Sequence, residues 1–494
     1  MNILLVSPKH PDTFWSFKYA LKFISKKASF PPLGMLTVAA MLPNEWNLRL
    51  IDMNTESLRD KDILWADLVF ISSLSIQEHS TEDVINRCRK FNRKTAAGGS
   101  LFTANYEKYI NRIDYLILNE AELTLPKFLN DLAEGKAENL YTSTEWAEIT
   151  GTPLPRWDLI NINHYSSLSL QYSRGCPYDC EFCDITVLYG RKPRTKSKAQ
   201  ILTELDAIYN TGWRGPVFFV DDNFIGNRTK LKREILPAIQ RWNMNHNYPF
   251  DYNTEASINL ADDELLLTQM VNTGFHKVFI GIETPCIESL IECNKVQNKK
   301  RDLLASIKKI QNAGMEVQAG FIVGFDNDPD FIFEKISNFI QESGIVTAMV
   351  GLLNAPKGTK LHKRLTEENR IIDNFSGNNT DFTMNFIPHM NRDKLMEGYK
   401  NILENIYHPK YFYKRVTAFL KDFNPDNIIK MHIKPSDLKA LAKSMVVLGI
   451  LNKERFYYWK LFFWSLLKKP QLFTQAMVFA IYGYHFRKIY NINI

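Results

Sequence analysis

Three cysteines, Cys176, Cys180 and Cys183, stand in the stretch SRGCPYDCEFCDITVLYGRKPR (Ser173 to Arg194) with the spacing C-x-x-x-C-x-x-C. They are half of the six cysteines in the chain. Three chemistries use thiols this close together. A disulfide is disfavoured by the odd local number, and six cysteines in 494 residues make no disulfide framework. Structural zinc closes with four ligands, often from two C-x-x-C pairs. Here the nearest histidine in sequence is His164, and no second such pair exists. An iron–sulfur cluster is held by thiolates. Three thiolates on a four-iron cube leave one iron without a protein ligand, and an open position is where a substrate or cofactor binds. The spacing favours the cluster, with zinc as the alternative.

The elements that must position this loop are legible as alternating β-rich and helical runs. Residues 1–135 hold strand candidates Asn2–Ser7, Leu48–Asp52, Asp67–Ser73, Lys94–Ala97 and Tyr115–Leu118. Amphipathic stretches such as Leu33–Leu42 and Ser80–Phe91 separate them. That alternation predicts an α/β doubly wound, flavodoxin- or Rossmann-like domain with a parallel sheet, whose ligands sit at the carboxyl ends of the strands. Residues 136–167 carry Gly151, Pro153 and Pro155 without periodicity and read as a linker. From 168 to 374 the alternation resumes. Strands are expected at Leu168–Tyr172, Pro216–Val220, Phe250–Glu255, Lys277–Gly281, Glu316–Val323 and Ala348–Leu353. Helices are expected at Lys198–Tyr209, Asp262–Asn272, Lys300–Ala313 and Phe331–Ser343. Six such units predict a partial (βα)6 barrel of the TIM type, and the cysteine loop follows its first strand, where barrel chemistry belongs. Residues 375–494 turn helical, aromatic and basic and predict a mainly helical third domain.

The stretch RGCPYDCEFC resembles the signature of the radical S-adenosylmethionine (SAM) enzymes, C-x-x-x-C-x-aromatic-C, with Phe182 as the aromatic residue. The resemblance implies that Cys176, Cys180 and Cys183 hold a 4Fe–4S cluster whose fourth iron is chelated by SAM. It also implies that one electron cleaves SAM to a 5′-deoxyadenosyl radical, which abstracts hydrogen from an unactivated carbon. Phe182 joins the SAM-binding candidates. So do Asp221, Asp222 and Asn223 in FFVDDNFIGN, as partners for the SAM amino group, although Asp and Asn also favour helix N-caps. Glu283 in FIGIETP, and Gly320 and Gly324 in GFIVGFD, resemble the positions that meet the rest of SAM, the glycines by close backbone approach to the adenine. Glu255 is a further polar candidate, with surface ion pairing as the alternative. Arg191 and Arg194 read as a solvated basic face or as partners of the SAM carboxylate. Cys88, Cys286 and Cys293 read as small buried hydrophobes.

A doubly wound domain ahead of such a barrel resembles the cobalamin-binding subclass, among them the methyltransferases acting on hopanoids and tetrapyrroles. The resemblance implies cobalamin at the strand ends, with Gly98 and Gly99 of GGSLFT as contacts; a plain turn is the other reading of that pair. The D-x-H-x-x-G motif that gives cobalt a histidine in many cobalamin enzymes is absent. The reaction implied is methylation of an unactivated carbon of an apolar small molecule, with rearrangement or ring chemistry as the alternative. Two other readings are weaker. An RNA methylthiotransferase calls for three more cysteines in the first domain, where only Cys88 stands. A zinc-stabilised binding protein is the non-enzymatic reading.

The electron comes, by the same resemblance, from an external donor such as flavodoxin or ferredoxin. The net charge of +7 is mild and calls for no nucleic acid. Met1 leads straight into a strand rather than a signal sequence, and no apolar run reaches membrane-span length, so the chain reads as cytoplasmic. The aromatic, lysine-bearing stretch Phe456–Phe486 reads as helix packed on the barrel, with peripheral membrane contact as the second reading.

Overall fold

The computed structural model describes residues 1–373, 375–378, 380–423 and 435–492. Short apolar runs build the first sheet: β1 (Asn2–Ser7), β2 (Asn47–Asp52), β3 (Leu68–Ser72), β4 (Lys94–Gly98), β5 (Tyr115–Ile117) and β6 (Leu140–Tyr141). All pair in parallel, in the order β2-β1-β3-β4-β5-β6. Helices cover both faces, which is why NILLVS and LVFIS are nearly all apolar rather than alternating. The order reverses between β1 and β3, the place where such sheets take ligands. β6 lies inside the stretch read as linker. Two residues carry no periodicity, so only the buried Tyr141 ring and its bond to Asp131 (3.0 Å) reveal the strand's role.

The second sheet contains β7 (Leu168–Leu170), β10 (Gly215–Phe219), β11 (Phe250–Glu255), β12 (Phe275–Glu283), β13 (Glu316–Val323) and β14 (Ala348–Leu352), all parallel and in sequential order. Between its first two strands a small antiparallel ladder, β8 (Ser173–Arg174) with β9 (Arg194–Thr195), closes the base of the cysteine loop. In β11 the set Phe250, Tyr252 and Thr254 is buried under helices, while Asp251, Asn253 and Glu255 face the barrel interior. A helical run at 228–245 was not expected. Its third turn carries Pro237, which removes an amide donor and blurs the period, and a wide π turn at Leu231–Ile235 precedes it.

A six-stranded barrel is open between its first and last strands, and the first domain fills that gap. Ala28 bridges Tyr165, and the Ser166 and Ser167 amides donate to Ala28 and Ser29 (3.1 and 3.0 Å), beside β7. Phe30 meets Phe218 of β10 at 5.0 Å between ring centroids. At the far side Trp15 Nε1 donates to Met349 Sδ of β14 (3.0 Å), and its ring stands edge-on to Phe279. The outer edge of β14 is covered by the helix Arg392–Tyr407, whose Tyr399 and Tyr407 hydroxyls donate to the Val350 and Ala348 carbonyls (3.0 and 2.6 Å). A bare strand edge is thereby satisfied.

The last helix, Phe473–Ile489, locks the gap-filling segment in place. Phe486 stacks on Phe14 at 4.3 Å. Buried His485 accepts from the Tyr19 amide at Nδ1 (3.4 Å) and donates from Nε2 to the Phe14 carbonyl (3.0 Å). Both ring nitrogens are used by one neutral tautomer, and burial pushes the imidazole down to about 4. The unfolded chain therefore binds the extra proton between pH 6.5 and 4. Stability is fully present above pH 6.5 and falls by up to about 3 kcal/mol as the pH drops through that window. Denaturant unfolding across this range should show the slope in the wild type and a flatter profile in His485→Gln.

Candidate functional site

The cysteine loop leaves the carboxyl end of β7 through a glycine. Gly175 has φ +89°, and a Cβ there would strike the Tyr189 and Gly190 carbonyls at 2.9 Å, so the loop can return on itself only at glycine. Cys176 donates its amide to Gly190 O (3.3 Å), and Cys183 N–H donates to Cys180 O (3.2 Å). Cys180 is buried, and Cys176 and Cys183 are half-buried. Burial pushes all three thiols up, and each is also raised by a neighbouring thiol or carboxylate; Lys295 draws all three down. A thiol that resists ionisation alone, beside a buried ammonium, suits coordination to a cationic cluster, which binds thiolates.

The barrel strands, the first domain and the helix after the last strand each hold this loop. From the barrel, Asp221 accepts from the Tyr172 amide (3.2 Å), the Ser173 amide and the Ser173 hydroxyl (2.5 Å). Asp222 accepts from Gly175 N (2.9 Å). From the first domain, Glu120, just beyond β5, takes Arg174 (2.8 Å) and Arg194 (2.8 Å), and Glu122 takes Arg174 (2.7 Å). Glu120 is only 2% exposed at its side chain. Beyond β14, Arg364 on the helix Lys360–Glu367 grips both oxygens of Glu181 (2.8 and 3.2 Å), and Leu361 N donates to Glu181 O (3.0 Å).

The expected residues are thus divided. Asn223 is the member of the Asp221–Asn223 trio that faces a cysteine, with Nδ2 at 3.9 Å from Cys176 Sγ. It also borders a cavity of about 660 Å³ running from Pro177 and Tyr178 past Gly226 to Ser257 and Asn259. Asp221 is fully occupied in bracing the loop rather than open to a ligand; burial pushes it up to about 7. Asp222 rises to about 6, and Glu255 to about 8, both through burial foremost. Among the described residues no cation pairs with Glu255. Glu283 sits at a bulge in β12 with φ +62°, an uncommon conformation for a non-glycine residue, and pairs with Lys295 at 2.5 Å. Phe182 leans on Phe325 at 6.3 Å.

The glycines are placed differently from the expectation of bare backbone. A Cβ on Gly320 would meet Phe279 at 2.9 Å, and one on Gly324 would meet Leu395 and Met384 at 3.3 Å, so protein side chains cover both. Gly98 and Gly99 are similarly pressed, against Ile117 O (2.7 Å) and Ser73 O (2.6 Å), and the packing of the sheet itself requires them. Arg194 is buried in the Glu120 pair, not on a solvated face, whereas Arg191 is exposed.

The segment after Glu283 was missed. Lys295 reaches the thiols, and Gln297 Nε2 lies 3.8 Å from Cys180 Sγ while its Oε1 is buried without a partner. Asn298 holds the Gly281 and Ile282 carbonyls (3.1 and 2.9 Å). Nothing in ECNKVQNKK marks it locally; only the carboxyl-end rule for the preceding strand points there. The orphaned Gln297 oxygen, the Glu255 carboxyl without an ion pair among the described residues and the three thiols of one loop fit a cluster with a cationic ligand beside it. At the facing edge of the first sheet, Leu74 is left 50% exposed.

The radical SAM superfamily model matches residues 170–340, and a B12 binding domain model matches 24–129. A domain of unknown function (DUF4070) matches 359–493. An uncharacterized methyltransferase of Synechocystis is 39% identical over 98% of this chain and 91% of its own length. The hopanoid C-2 methylase of Rhodopseudomonas palustris is 33% identical over 94% and 88%. The chain belongs to the cobalamin-dependent radical SAM methyltransferase family. Its cofactors are a 4Fe–4S cluster, SAM and cobalamin. The solved structure of OxsB, a cobalamin-dependent SAM radical enzyme, covers 100% of this chain and 84% of its own, with TM-score 0.62 at 15% identity. TsrM from Kitasatospora setae covers 74% and 78%, with TM-score 0.59 at 13%. At those identities the likeness is one of fold.

Removing one member of the buried Glu120–arginine group leaves uncompensated charge. Glu120→Gln should destabilise this family member by about 3 kcal/mol, whereas Glu134→Gln, at an exposed site, should change stability by less than about 0.5 kcal/mol. Denaturant unfolding of the full chain measures both.

Proposed function

We propose that this enzyme places a methyl group on an unactivated carbon of an apolar, polycyclic small molecule. The observation that carries the reading is the 33% identity to a hopanoid C-2 methylase across 94% of the chain. Two separate aromatic pairs on the barrel strands, Trp15 with Phe279 and Phe30 with Phe218, support it, since flat rings suit an apolar guest. Cys176, Cys180 and Cys183 would hold the cluster, and cobalamin would lie at the carboxyl edge of the first sheet, facing the loop across Glu120. When bound, these groups supply one-electron cleavage of SAM and a transferable methyl group.

The chain's own residues prepare that site. Asp221 and Asp222 fix the loop. Lys295 offsets the negative charge that three thiolates bring. Asn223 and Gln297 offer N–H donors to sulfur, which tunes a cluster's potential. Glu255, with Asp222 near it, presents carboxylate to the cationic SAM, and Glu283 stays engaged with Lys295. The electron would come from an external flavodoxin or ferredoxin, with Arg191 and Lys192 exposed beside the loop for an acidic partner.

The test begins with protein purified without oxygen in the presence of iron, sulfide and cobalamin. With SAM and a strong reductant it should form both 5′-deoxyadenosine and S-adenosylhomocysteine. Cys180→Ala should lose the cluster's visible absorbance and the deoxyadenosine. Deoxyadenosine without S-adenosylhomocysteine, with substrate present, would move the reading to non-methylating radical chemistry. Separately, Glu255→Gln keeps the side-chain shape and removes the charge. It should weaken SAM binding by about tenfold or more in titration calorimetry, and unchanged affinity would free Glu255 from the role.

A further inference from the structure

We propose that the helix Arg455–Lys468, with the turn before it, is a docking face for an anionic lipid bilayer. The stretch read as one packed aromatic segment divides at Pro470. Its second half, Phe473–Ile489, is packed as expected, but the first half is packed on one side only. Tyr458, Leu461 and Ser465 are buried, with Tyr458 bonded to Ser444 (2.8 Å) and Phe462 set edge-on to Phe473. The opposite ridge, at spacing i, i+4, i+7 and i+11, is Phe456, Lys460, Phe463 and Leu467. Phe456 is 72% exposed, Phe463 54% and Leu467 75%. Ile450 and Leu451 extend the apolar surface, 59% and 75% exposed, and the Trp459 indole holds that turn to the helix through Gly449 O (2.9 Å).

Charge decides what covers this face. Between Leu438 and Pro470 the only acidic residue is Glu454, and it is buried against Arg487. The same stretch carries Lys439, Lys443, Lys453, Arg455, Lys460, Lys468 and Lys469. Arg455, Lys460 and Lys468 are exposed and make no ion pair among the described residues. A second copy of this face would set cation against cation, whereas lipid phosphates meet the cations while acyl chains take Phe456, Phe463 and Leu467. No helix among the described residues is long and apolar enough to cross a membrane, so the contact is with the surface. The inference needs no particular substrate and stands apart from the methylation reading.

Co-sedimentation of the full chain with vesicles tests it without turnover. The wild type should pellet with phosphatidylcholine–phosphatidylglycerol vesicles, and less so with phosphatidylcholine alone or at high salt. The triple variant Phe456→Ser, Phe463→Ser, Leu467→Ser should bind about tenfold or more weakly. Lys460→Glu with Lys468→Glu should lose the preference for anionic lipid. Because all these side chains are exposed, unchanged circular dichroism should accompany each loss. The inference is overturned if the wild type stays in the supernatant, if the triple variant pellets equally well, or if the triple variant turns a wild-type dimer into monomer, which would make the face a contact between copies.

Discussion

Two arginines and two glutamates, Arg174, Arg194, Glu120 and Glu122, meet around the buried Glu120 carboxylate, largely shielded from solvent, where the first domain meets the barrel. Neither domain can keep its half alone, because a buried charge without its partner is costly. The arginines are the two arms of the cysteine loop, and the acids follow the fifth strand of the other sheet. One electrostatic constraint therefore fixes the loop's shape and sets the carboxyl edges of two sheets against each other. The carboxyl edge of the first sheet and the cysteine loop face one another because these charges must.

Around the loop, charge is sorted by side. The ammonium of Lys295 lies with the thiols, and Glu283 holds it there. Across the barrel mouth Asp222 and Glu255 are half-buried and, among the described residues, in no ion pair, and burial pushes both carboxyls up although Arg174 and Arg194 draw Asp222 down. A protein that only needed stability would have little reason to set two carboxyls side by side in this way. The arrangement suits a site that expects positive charge to arrive from outside.

Most of the architecture was legible in the sequence because parallel strands buried on both faces are nearly pure apolar runs. The cysteines were legible because metal chemistry demands residue type and spacing locally. What escaped notice depended on pairings distant in sequence. Arg194 looks like one more cation in GRKPRTK, and only Glu120, far upstream, turns it inward. Lys295 and Gln297 lie in a polar stretch without pattern. β6 is too short to have a period. The glycines show the same limit. A missing side chain marks a tight approach, but sequence does not say whether protein or ligand makes it.

The filling of the barrel's gap also sets an order of assembly. Phe14 and Trp15 are synthesised before every strand of the barrel, yet Phe14 stacks on Phe486 of the helix Phe473–Ile489. The first sheet can form from local parts, but its projecting aromatic segment must wait for six strands and the final helix. Until then the barrel's open side and that segment are both apolar and bare, a period of aggregation risk typical of long-range topologies. For the same reason the cobalamin module cannot be lifted off as a cassette: cutting it away removes part of the barrel wall.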